Sequence, residues 1–111
     1  MAGSVAAALG GCANAAPPPA SVDQVYLDAA IGAIGQSSGP CRALDDSMQD
    51  TALLRQIQAR QFQILGATAL RDEDGEYRQI VLELPTRDRI LAIVYVSAGA
   101  CSGYSFGLLR E

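Results

Sequence analysis

Three cysteines, Cys12, Cys41 and Cys101, and two acidic groups, Asp45-Asp46 with Asp50 and Asp72-Glu73-Asp74-Gly75-Glu76, are the side chains best equipped for chemistry in this sequence. Thiols bind metals, attack as nucleophiles or pair as disulfides, and carboxylates hold calcium or exchange protons. The 111 residues include no histidine and no tryptophan, and all eight basic residues are arginine. That composition excludes Ser-His and Cys-His dyads, lysine Schiff bases, a phosphate-loop lysine and imidazole metal sites. None of the cysteines stands in a Cys-x-x-Cys spacing, so there is no zinc signature. The acidic stretch 72–76 does not meet the spacing of an EF-hand loop and reads as a turn. Asp45, Asp46 and Asp50 read as the start of a helix, where carboxylates meet the positive end of the dipole. The expectation is a protein without catalytic, cofactor or metal site. A net charge of -4 and the lack of any basic run argue against nucleic acid as a partner. No stretch approaches the roughly 20 apolar residues that span a bilayer, so membrane attachment would need an anchor.

Residues 1–20 differ from the rest. Met1 to Gly11 is small and apolar, and Ala13 to Ala20 is a tether of Asn, Ala and Pro that contains Pro17-Pro18-Pro19. Leu9-Gly10-Gly11-Cys12, between them, resembles the lipobox of bacterial lipoproteins. The resemblance implies that residues 1–11 are a leader cut before Cys12, and that the Cys12 thiol carries a diacylglyceryl group. Residues 12–20 then link the anchor to a domain at 21–111. Ala13, rather than an aspartate, follows the cysteine, which under the sorting rule of enteric-type bacteria implies the outer membrane, facing the periplasm. Acyl chains contribute about 0.8 kcal/mol per buried methylene, so several of them hold a protein to a membrane in effect permanently. Met1 to Leu9 holds no Arg, so the basic start of such a leader is expected upstream of Met1.

With Cys12 acylated, Cys41 and Cys101 remain as an even pair. In an exported protein that pair reads as a disulfide closing a long loop, a constraint that stabilises by roughly 4 kcal/mol. The alternative is a cytosolic protein in which a leader precedes two separate buried thiols.

Positioning these residues falls to two helices and four strands. Ser21-Val22-Asp23-Gln24 matches a capping box, and Val22, Val25, Ala29 and Ala33, with Tyr26, Ala30 and Ile34 beside them, predict a helix with a broad apolar face ending at Gly35. Asp46 or Ser47 is expected to cap a second helix that runs to about Arg60 and buries Leu53, Leu54 and Ile57. From Phe62 the period changes to two. Phe62, Ile64, Thr68 and Leu70 are expected on one face of a first strand, with Gly66 as a bulge, and Ile80, Leu82 and Leu84 on one face of a second. Ile90 to Val96 is apolar at every position and reads as the central strand, and Tyr104, Phe106 and Leu108 form one face of the last. The predicted fold is α+β: two N-terminal helices packed on one face of a four-stranded antiparallel meander sheet, in two layers.

Helices on one face leave the other to be explained. Leu91, Ile93 and Tyr95 would point away from them, and Val81 and Leu109 would extend the same surface into an apolar patch. Such a patch suits another envelope protein or a second copy of the chain. The expected function is therefore that of a small envelope lipoprotein acting as a non-catalytic protein-binding or assembly module. The alternative is a carrier whose apolar or lipidic ligand lies among Tyr26, Tyr95, Tyr104 and Phe106.

Overall fold

A computed structural model describes residues 21–109. The leader, Cys12 and the proline-rich tether lie outside the described residues. Helices α1 (Val22–Ala33) and α2 (Thr51–Gln58) are followed by strands β1 (Gln63–Asp72), β2 (Gly75–Glu83), β3 (Arg89–Ser97) and β4 (Ala100–Leu109). The strands form one antiparallel sheet in the order β1-β2-β3-β4. The chain is thus α+β, with the meander expected from its alternating residues.

Helix α1 starts as its sequence dictates. The Ser21 hydroxyl accepts from the Gln24 amide at 3.2 Å, and the Gln24 side chain accepts from the Ser21 amide at 3.3 Å. Its buried stripe, however, is Tyr26, Leu27, Ala30, Ile31 and Ala33, whereas Val22 and Val25 are 51% and 53% exposed. The expected stripe through Val22, Val25 and Ala29 is therefore displaced around the helix. Apolar residues occur on nearly every side of α1, so periodicity alone does not select a face. The larger side chains of Leu27 and Ile31 bury more area and decide it. Ala30 is fully buried, and its small side chain lets α1 lie close over β2, β3 and β4.

Helix α2 differs more from expectation. Its cap is Asp50, whose carboxylate accepts from the amides of Ala52 and Leu53 at 3.0 and 3.1 Å. It ends at Gln58, ahead of Arg60, which holds a left-handed φ of 61°. Rather than sharing the seat of α1 across the strands, α2 packs against α1 and sends Ile57 into the core. The residues read as its first turn do another job. The Tyr104 amide donates to the Arg42 carbonyl, the Leu44 amide to the Tyr104 carbonyl, and the Met48 amide to the Phe106 carbonyl, at 2.9, 2.7 and 2.7 Å. The Ser47 hydroxyl accepts from the Phe106 amide at 3.1 Å. Residues 42–48 thereby satisfy the outer edge of β4, which would otherwise present unpaired backbone. They run so close that a Cβ on Gly103 would sit 3.2 Å from Leu44.

The core lies between α1 and the sheet. Ile80, Leu82, Ile90, Ala92, Val94 and Phe106 are fully buried there. Arg78 closes the layer at one end, where its guanidinium stands 5.2 Å from the Tyr26 ring centre and its Nε donates to Asp23 at 3.1 Å. Two tight turns keep the strands in register. Ala98 and Gly99 between β3 and β4 both have positive φ, 53° and 78°, which fits the right-handed twist of a two-residue hairpin. Between β1 and β2 the Asp72 carboxylate accepts from the Asp74 amide at 2.8 Å, and Gly75 supplies a φ of 123°.

The bulge in β1 falls at Leu65, between the pairs Ile64 with Leu82 and Gly66 with Val81. The extra residue reverses the alternation, so Thr68 and Leu70, opposite Gln79 and Tyr77, lie on the face away from α1 rather than with Ile64.

Candidate interaction face

The register brings the predicted surface residues onto one side of the sheet. Val81 stands opposite Leu91, Gln79 opposite Ile93 and Tyr77 opposite Tyr95, while Leu109 stands opposite Arg89 in the end row. On the helix side of these strands Ile80, Ala92 and Val94 are fully buried. On the far side Val81, Leu91, Ile93 and Tyr95 stay half-buried and Leu109 is 40% exposed. That difference between adjacent residues of the same central strand marks a face without a second layer among the described residues.

Leu70, Tyr77 and Ser105 belong to this face too. Tyr77 was legible in the sequence, since it alternates with Gln79 and Val81. Leu70 was hidden by the bulge. The face has an apolar centre and a distinct aromatic, acidic end. There the rings of Tyr77 and Tyr95 lie 5.1 Å apart, and the Tyr95 hydroxyl donates to the Asp72 carboxylate at 2.6 Å. At the other end Arg89 pairs with Glu83 at 3.5 Å.

The Tyr95–Asp72 hydrogen bond sets both groups' titration. The phenol proton is held by the carboxylate, which pushes the Tyr95 pKa from 10.0 up to about 12. The same bond holds Asp72 below the usual 3.8. A raised phenol pKa stabilises the folded state below pH 10 and ceases to do so as pH climbs from 10 to 12. A lowered carboxylate pKa stabilises above pH 3.8 and is lost as pH falls below that value. A phenolate-absorbance titration of the folded protein is expected to show one tyrosine ionising near pH 12, and Asp72→Asn should return that step toward 10. A Tyr95 that titrates at 10 in the unaltered protein would mean that the bond does not form in solution. Tyr104 is also raised, by burial.

No family model, curated protein or solved structure matches this chain.

Cys41 and Cys101 come together, their sulfurs 2.03 Å apart at the bonded distance of a disulfide. Cys12 lies outside the described residues. The four aromatics considered as a ligand lining do not converge: Tyr26, Tyr104 and Phe106 pack in the core, and Tyr95 is on the opposite face. The carboxylates are spread among separate structural tasks. Asp50 caps α2, Asp72 shapes a turn, and Asp23 holds Arg78. An open groove of about 900 Å³ between the end of α2 and the β2–β3 turn is lined mostly by polar side chains, with Glu83 its single carboxylate. One carboxylate already paired with Arg89 is no acid-base couple.

Proposed function

We propose that this protein is a non-catalytic binding module of the bacterial cell envelope, anchored by acylated Cys12 to the outer membrane and facing the periplasm. It works by holding another envelope protein against the uncovered sheet face. The observation that carries this reading is the half-buried apolar centre Val81, Leu91 and Ile93 on strands whose opposite side, at Ile80, Leu82, Ala92 and Val94, is fully buried. Exposed apolar surface of this kind is costly in water unless a partner removes it. Aromatic residues at one end, with a carboxylate beside them, favour a partner that brings an apolar strip ending in an arginine or lysine. The Cys41–Cys101 pair supports the envelope reading, because such a bridge persists in an oxidising compartment.

Two measurements on the native gene product test the two halves separately. Intact mass of the membrane-extracted protein is expected to show cleavage before Cys12 and added acyl chains. Site-specific photocrosslinking in the native cell is expected to yield a discrete adduct from position 93 and none from position 25 on the far side of α1. An unprocessed, unacylated Met1 sinks the anchor, and equal adducts from both positions sink the face.

A further inference from the structure

We infer that the protein forms a two-fold dimer through β1, paired antiparallel with β1 of a second copy. The two edges of the sheet are treated differently. Residues 42–48 occupy the outer edge of β4, whereas no described segment pairs with the outer edge of β1. Proteins protect a bare edge with lysine, proline or an inward charge, yet β1 reads Gln-Ile-Leu-Gly-Ala-Thr-Ala-Leu-Arg-Asp, with charge only at its last two residues. From Leu65 to Asp72 every residue is exposed, and Leu65 and Leu70 are 44% and 37% exposed. A strand so long and so apolar, on the one side left open, is a template for backbone pairing.

The second copy is the occupant that this edge fits. With one open edge among the described residues, pairing of like edges closes after two copies and does not propagate into a fibre. The bulge at Leu65 limits regular pairing to Gly66 through Asp72, and only a register centred on Ala69 uses all of that span. In that register Arg71 faces Ala67, Asp72 faces Gly66 and Leu70 faces Thr68, so no two like charges meet. The small residues on the strand allow close approach, and both uncovered faces fall on the same side of a continuous eight-stranded sheet. This inference does not depend on the envelope partner, since it concerns the edge and not the face.

Sedimentation equilibrium of the full chain over a range of concentrations tests it, with circular dichroism to verify folding. The expected result is a monomer–dimer equilibrium that Ala69→Lys, which sets two ammonium groups opposite each other on the axis, weakens at least tenfold while the fold is kept. In a chain carrying Cys12→Ala, mild oxidation should cross-link Ala69→Cys to itself and leave Ala67→Cys, which faces Arg71, uncrosslinked. Directly opposed strand residues lie within disulfide reach, and this readout stands even if the lysine variant does not fold. A monomer at every concentration, or a dimer that survives Ala69→Lys unweakened, overturns the proposal. Cross-linking at 67 but not 69 overturns the register on which it is built.

Discussion

Replacing Cys41 or Cys101 with alanine is expected to lower the free energy of unfolding by roughly 4 kcal/mol, and replacing both should cost no more than either alone. The two residues are 60 positions apart. A cross-link over that distance removes many extended conformations from the unfolded chain, and the loop-closure entropy sets the scale of the loss. For a small domain this is a large share of the 5–15 kcal/mol or so that separates folded from unfolded protein. The bridge also fixes residue 41, from which the edge-covering segment 42–48 departs. Its loss should therefore loosen that segment before the rest of the sheet, exposing the backbone edge of β4. Denaturant unfolding of the two single variants and the double variant measures the energies, and hydrogen exchange at Tyr104 and Phe106 reports the edge. Clearly additive losses would mean that the cysteines act separately and that no shared bridge holds the loop.

The strands were legible because their residues alternate and their turns carry a chemical signature. Ile80, Leu82 and Leu84 are spaced for one face. Asp72 through Gly75 supply the side-chain acceptor and positive φ that a tight hairpin needs. The cap at Ser21 was legible for the same reason, since it uses only neighbours in sequence. The misreadings occurred where a distant element made the choice. Val22 and Leu27 are both plausible core residues of an isolated α1, and the sheet selects Leu27. Asp46 and Ser47 form a sound helix start on local grounds, yet the free edge of β4 competes for the same backbone and side-chain groups, delaying α2 to Asp50. The sequence marked a bulge near Gly66, yet Thr68 and Leu70 were expected to keep the side of Ile64; the extra residue, Leu65, reverses the alternation and carries Leu70 to the uncovered face. Val81, Leu91, Ile93 and Tyr95 share one side of the sheet because β2 and β3 pair with each other without a register shift, and Leu109 joins them opposite Arg89.

Phe106→Ala is expected to cost about 3–5 kcal/mol, enough to leave much of the protein unfolded near its growth temperature. Phe106 is fully buried, and its partner on β3 is Ala92, also fully buried. A large ring opposite the smallest apolar side chain fills the space under α1 that two medium side chains would fill less completely, and the Tyr104 ring closes it at 5.5 Å. Truncation leaves a void that these neighbours cannot refill without distorting the sheet, so the cavity cost adds to the lost burial. The backbone of the same residue is held by Ser47 and Met48, and core damage at Phe106 is therefore transmitted directly to the edge cover. Val25→Ala, on the exposed side of α1, supplies the contrast and should change stability by no more than about 0.5 kcal/mol. Denaturant unfolding of the two variants decides the matter. A similar loss from both would place the apolar stripe of α1 where its first valines are and contradict the burial of Leu27 and Ile31 in the core that holds Phe106. A large loss from Phe106→Ala alone would establish that the helix side is the stability core, leaving the opposite face of the sheet free to be altered in binding experiments without unfolding the domain.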